Sequence, residues 1–161
     1  MTQLKNKKFL YLILLFSIFA LIAAYFIEYV LGYIPCNLCI IERIPYIFTI
    51  IIILYCLLSK KFEKFFLIIL SLIFFLASMI SFYHFGIEQG FFKESLVCNL
   101  SKGYEITNPE ELLRELQKKT ISCADVSFKI LGISLATLNT IISLILSVII
   151  FRAYLNYEKN K

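Results

Sequence analysis

The sequence predicts an all-α membrane protein, a four-transmembrane-helix bundle with a short amphipathic helix in its second outer loop. Three observations carry that expectation. The 161 residues are 60% hydrophobic and only 17% charged, and the mean hydropathy is +0.85. A water-soluble domain is about 45–50% apolar and about 25% charged, so this chain is composed for lipid. Second, it holds four long uncharged runs: Phe9 to Ile27 (19 residues), Ile44 to Leu58 (15), Phe65 to Ile87 (23) and Ile130 to Phe151 (22). Third, the basic residues are shared unevenly between the connections. The low charge and the lack of Pro/Ser/Gln-rich tracts exclude a disordered chain, and the length allows one domain.

Spanning takes about 20 apolar residues, which three runs supply outright. The second rises only about 22 Å as a helix and must recruit flanking residues to cross a core of about 30 Å. The expected layout is a single integral membrane domain over 1–161. Its spans lie at about 9–28, 40–59, 65–87 and 130–152, with outer loops at about 29–39 and 88–129. Residues 1–28 read as a span rather than a signal peptide, because the apolar run is longer than an h-region and no A-x-A site ends it.

Four spans put both termini on one side. That side carries Lys5, Lys7, Lys8, Lys60, Lys61, Lys64, Arg152, Lys159 and Lys161 against only Glu63 and Glu158. The other side balances seven basic residues with nine carboxylates. The positive-inside rule then makes the termini cytoplasmic, and the net charge of +5 becomes an orientation signal rather than a nucleic-acid footprint.

Within the second outer loop, Asn108-Pro109-Glu110-Glu111 reads as a helix start, with Asn108 as N-cap and Pro109 at the first helical position. Leu112, Leu113 and Leu116 share one face of a helix ending near Thr120. It lies either on the membrane surface or over the bundle ends. In span four, Gly132, Ala136, Thr140, Ser143 and Ser147 form one face of small residues, a seam for close helix packing; Ser71, Ser78 and Ser81 of span three do the same.

Five cysteines remain. Cys56, near the inner end of span two, reads as a packing residue. Cys36 and Cys39 form C-x-x-C just before span two, and Cys98 and Cys123 lie in the second outer loop with 24 residues between them. Static disulfides, a zinc site and redox chemistry compete for these four. A C-x-x-C loop restrains little chain entropy, and the spacing is irregular for zinc in an oxidising compartment. Thiol–disulfide exchange suits the pattern better, since C-x-x-C lowers a thiol pKa and a second pair in the loop could pass electrons on. Extending span two backwards puts the C-x-x-C at a helix N-terminus, where dipole and free amides favour a thiolate. Cys39 and Arg43 would then be one turn apart, unless Pro45 forces the helix to begin near Ile44 and loosens that spacing. Arg43 so placed stabilises a thiolate or polarises the carbonyl of a membrane-dissolved acceptor; otherwise it is a snorkelling arginine at a helix end.

The string Pro35-Cys36-Asn37-Leu38-Cys39-Ile40-Ile41-Glu42-Arg43 resembles the P-C-x-L-C-x-x-E-R stretch of the DsbB family of disulfide bond formation proteins. The layout is similar over the whole chain. The resemblance implies a membrane protein-dithiol:quinone oxidoreductase of the bacterial inner membrane, with cytoplasmic termini and periplasmic cysteines. It would reoxidise a periplasmic thioredoxin-fold dithiol oxidase, DsbA-like, and pass the electrons to ubiquinone or menaquinone. It implies redox-active pairs Cys36–Cys39 and Cys98–Cys123, with Cys98 forming the mixed disulfide with the partner. Cys39 and Arg43 would face the quinone. His84, the only histidine, sits where the family has one near the quinone; pairing with Glu88 one turn on is its competing reading. Two features stand outside the pattern, the absence of tryptophan and Pro45. The alternatives are a vitamin K epoxide reductase-like enzyme, against which the early C-x-x-C counts, and a metal-binding or scaffold membrane subunit with static cysteines.

Overall fold

In lipid, a spanning segment must satisfy every backbone N–H and C=O internally, so the apolar runs are helical. The computed structural model describes residues 2–59, 63–94, 98, 122–124, 128–130 and 132–159. The helices are α1 (Thr2–Tyr29), α2 (Asn37–Ile41), α3 (Ile44–Ser59), α4 (Glu63–Glu88) and α5 (Leu135–Lys159). Before α5, strands β1 (Lys129–Ile130) and β2 (Ile133–Ser134) form a minimal antiparallel ladder. Four stretches, Lys7–Tyr29, Asn37–Leu58, Lys64–Glu88 and Leu135–Asn156, are long and apolar enough to cross a membrane. The chain is thus an all-α four-helix membrane protein. The amphipathic helix expected at 108–120 lies outside the described residues.

α1 packs on α3, α3 on α4, and α4 most extensively on α5. Ile13, Ile53, Leu70, Phe74 and Ile150 are fully buried where these helices meet. Outward, Leu15, Phe19 and Leu58 are 67%, 68% and 83% exposed, an apolar surface far larger than a soluble monomer displays. Cys56 is buried in the central cluster, consistent with a packing residue.

The tight α4/α5 pair follows from the small-residue seam. Ala136, Ser143 and Ser147 on α5 and Ser71, Ser78 and Ser81 on α4 are all buried. Ser71 Oγ donates to the Ser147 carbonyl at 3.1 Å and Ser147 Oγ returns a bond to the Ser71 carbonyl at 3.0 Å. Gly132, expected on this seam, is not part of it: at φ +85 it sits in the turn between β1 and β2, and the helix begins only at Leu135. Span two departs in the same way. The helix breaks at Glu42 and Arg43, because Pro45 has no N–H for the Ile41 carbonyl, and α3 restarts at Ile44 with proline in its first turn.

Ser147→Leu is expected to force the α4/α5 seam apart and cost about 1–3 kcal/mol, read as a lower midpoint for thermal unfolding in detergent. Leu144→Ala, on a side chain 48% exposed, is expected to leave that midpoint within the scatter of surface substitutions.

Candidate functional site

α1 ends in a turn made by Gly32 in the left-handed region (φ +75), and the next amide, Tyr33 N–H, returns to the Ile27 carbonyl at 3.2 Å. The chain then delivers Cys36 as the N-cap of α2, its sulfur accepting the Cys39 N–H at 3.3 Å. The C-x-x-C therefore starts a helix, and its two sulfurs stand 2.7 Å apart, inside the separation of unbonded sulfurs. Cys36 is buried and Cys39 half-buried.

The break after α2 sends consecutive side chains in opposite directions. Glu42 turns towards α4 and α5, where its Oε1 meets His84 Nδ1 at 2.7 Å and its Oε2 accepts from Asn139 Nδ2 at 2.8 Å. Arg43 turns towards α1, where Nη1 meets Glu28 Oε2 at 2.5 Å and the guanidinium lies 4.9 Å from the Tyr25 ring centre. Of the two geometries that Pro45 allowed, the structure has the helix starting at Ile44, and Cys39 and Arg43 line one cavity.

His84 is 3% exposed. Its Nε2 lies 3.4 Å from Cys36 Sγ and 3.9 Å from Glu88 Oε1. The contact with Glu88, one turn on, is thus the longer of its two carboxylate contacts, and the histidine belongs to the thiol site. A carboxylate only accepts, so Glu42 favours a proton on Nδ1; in the neutral ring this leaves the Nε2 lone pair facing the Cys36 thiol.

The second cysteine pair comes to the same place. Cys98 and Cys123 are buried in one cluster with Cys36, Leu38 and Ile87. α4 closes with a Schellman turn, in which Gly90 has φ +76 and Phe91 N–H reaches the Gly86 carbonyl at 2.8 Å. A Cβ on Gly86 would collide with the Phe92 ring, which folds back to stack on Tyr83 at 5.6 Å. Further on, the Glu94 carboxylate accepts from Ser122 Oγ and, at 3.2 Å, from the Ala124 N–H, gripping both sides of Cys123. The Cys39 sulfur and burial push the Cys36 thiol well above the usual thiol range, against a smaller opposing pull from His84. Burial, with Cys98 beside it, pushes Cys123 up as well.

Behind the C-x-x-C lies a cavity of about 330 Å³. Its walls are largely apolar side chains of α1 and α5, including Phe16, Ala20, Leu138 and Ile142, and its polar lining includes Glu28, Cys36, Cys39, Glu42, Arg43, Tyr46, His84, Glu88 and Asn139. The ligating atoms of Cys36, Cys39 and His84 fall within 4.8 Å of one another, compact enough for one metal ion as well as for exchange between sulfurs. Sequence reasoning missed Glu28, Glu42 and Asn139 as site residues. Asn139 did carry a signal, being the one side-chain amide in the uncharged run Ile130 to Phe151, where polar groups are costly and face the bundle interior.

Fold and site together define an integral membrane protein that gathers four thiols at one end of a helical bundle. A model of the family described as "Disulfide bond formation protein DsbB" matches residues 6–153, and the chain belongs to that family. It is similar to an uncharacterized protein, RP370, of Rickettsia prowazekii (strain Madrid E), with 32% identity over 134 residues covering 81% of this chain and 77% of that protein. No solved structure matches the chain. Family and fold make it a multi-pass membrane protein of disulfide bond formation.

In the fully reduced chain, a small neutral alkylating agent at pH 7 is expected to modify half-buried Cys39 before Cys36 or Cys123. A raised pKa leaves less thiolate at neutral pH, about tenfold less per unit, so the two slow thiols should accelerate as pH climbs past the usual thiol range. Mass-spectrometric mapping checks this; equal rates for all three at pH 7 would remove burial as the control.

Proposed function

We propose that the protein is a dithiol:quinone oxidoreductase of the bacterial inner membrane, which reoxidises a periplasmic DsbA-like thioredoxin-fold oxidase and sends the electrons to a membrane quinone. The observation that carries this reading is the C-x-x-C standing between a buried second thiol pair and an apolar cavity edged by Arg43 and His84. The charge distribution supports cytoplasmic termini and cysteines on the periplasmic side.

The cavity suits a quinone: its volume is at the small end of ligand pockets, and its walls are largely apolar with polar groups from the C-x-x-C, Arg43 and His84. Cys39, Arg43 and His84 would hold the head group and apolar residues of α1 and α5 would line the remainder. A quinone bound there supplies the two-electron, two-proton acceptor and leaves as quinol.

The chain's own residues carry the exchanges. A partner thiolate attacks Cys98 of the Cys98–Cys123 disulfide, forming a mixed disulfide and releasing Cys123 as a thiolate. The partner's second thiolate then attacks the partner sulfur of that bond, leaving oxidised partner and a reduced loop pair. Cys123, which packs beside Cys36, attacks the Cys36 sulfur and releases Cys39. Cys98 next attacks Cys123, restoring the loop disulfide and freeing Cys36. Cys36 and Cys39 finally give up two electrons and two protons as their disulfide re-forms. Each attack depends on thiolate fraction and leaving-group pKa. Glu28 keeps Arg43 on the cavity wall, and Glu42 keeps His84 aimed at Cys36.

A reduced thioredoxin-fold dithiol protein added to the purified chain is expected to drive quinone reduction. Cys36→Ser and Cys98→Ser should each abolish it, with Cys98→Ser still binding quinone. Turnover by either variant would remove that cysteine from the relay, and one stoichiometric zinc with four permanent thiolates would replace this reading with that of a metal-binding subunit. Arg43→Ala is expected to raise the apparent KM for quinone about tenfold or more, the worth of one charged hydrogen bond; an unchanged KM would take the arginine out of the site.

A further inference from the structure

We infer that Asn139 is a positioning residue for the thiol chemistry: by holding Glu42 it keeps His84 in the tautomer that can take the proton of Cys36. This rests on the exchange reading above, in which Cys36 must act as a nucleophile. In the step concerned, the Cys36 S–H bond breaks and an N–H bond forms on His84 Nε2. A thiolate is left beside an imidazolium whose other N–H stays on Glu42, and no electron moves.

The geometry is a continuous relay. Cys36 Sγ lies 3.4 Å from His84 Nε2, His84 Nδ1 lies 2.7 Å from Glu42 Oε1, and Glu42 Oε2 accepts from Asn139 Nδ2 at 2.8 Å. The amide is itself locked: Nδ2 also reaches Ser81 Oγ at 2.6 Å, and Oδ1 accepts from Tyr46 at 2.5 Å and from Ser143 at 3.3 Å. Glu42 is the C-cap of α2, its N–H on the Leu38 carbonyl at 2.9 Å; that bond holds its backbone, and α5 supplies a second anchor, on its carboxylate. With Asn139 gone, Oε2 has lost its donor in a buried setting, where a neutral carboxyl is the cheaper form. Such a carboxyl donates to Nδ1, moves the ring proton to Nε2 and turns an N–H towards the thiol, which then has no base.

The other titratable and charged groups around the ring are Cys39 beside Cys36, Glu88 on the histidine's own helix with Lys129 within electrostatic reach of it, and Tyr46 through Asn139. Arg43 is engaged with Glu28. Asn139 touches none of the reacting atoms and acts only through Glu42.

His84 is the only histidine, so ¹⁵N-histidine labelling of the full chain in detergent gives one pair of ring signals. The experiment follows those signals from pH 6 to 9. It also follows the alkylation rate of Cys36 as sole thiol in a Cys39→Ser, Cys56→Ala, Cys98→Ser, Cys123→Ser background. With Asn139 present, the ring is expected to carry its proton on Nδ1. Asn139→Leu is expected to move the neutral ring towards the Nε2-protonated form and to slow Cys36 alkylation at pH 7 about tenfold, the scale of one hydrogen bond to a charged group. Asn139→Ser, small enough for the seam and too short to reach Glu42, gives the same reading where the leucine variant does not fold. Unchanged ring signals in the folded variants overturn the proposal, and so does slower alkylation with unchanged signals, which would mean that packing reaches Cys36 without the histidine. Neither measurement contains a quinone, so quinone reduction can fail while this stands, and the reverse.

Discussion

The Glu42 carboxylate sits at the end of a membrane bundle, and the surroundings that keep it solvated organise the site. A charge removed from water must be met by donors at short range. Here the donors come from two other helices, His84 on α4 and Asn139 on α5. One carboxylate therefore ties α2, α4 and α5 together just where the C-x-x-C begins. The packed seam of small residues between α4 and α5 serves the same arrangement, because it brings Ser81 and Asn139 close enough to bond.

Around that anchor the thiols are sorted by access. Cys36 and Cys123 are buried, and burial and neighbouring sulfur raise their pKa, while half-buried Cys39 shares the cavity wall with Cys36. Such an arrangement limits side reactions, because burial keeps bulk solvent from the inner thiols. Glu94, holding Ser122 and Ala124, and Phe92, seated on Gly86, tether the two ends of the loop bearing the second pair. Chain geometry and local acidity thus both favour exchange within the cluster over exchange with solvent.

Much of this was legible in the sequence, and what was not has a physical reason. Uncharged runs announce helices in lipid because backbone satisfaction permits little else, and the placement of Cys36 and Cys39 at a helix start followed from the shortness of the second run. Pro45 marked the two possible geometries of that start, although only packing chose between them. The partners of the polar side chains were out of reach, since they depend on which helix faces which. Glu42 finds His84 42 positions away and Asn139 97 positions away, and no local period encodes either. Gly132 was misassigned for a simpler reason: glycine fits a close-packed seam and a left-handed turn equally well, and composition does not tell them apart.

The break between α2 and α3 has a mechanical side. Adjacent residues reach to opposite walls of the cavity, Glu42 to α5 and Arg43 to α1, so a single peptide unit acts as the strut between them. α1 and α5 close the cavity between them, yet their polar link runs through that strut. Both polar anchors of the cavity thus hang on one short stretch of backbone between α2 and α3, so a substitution that re-aims either side chain there bears on α1 and α5 together.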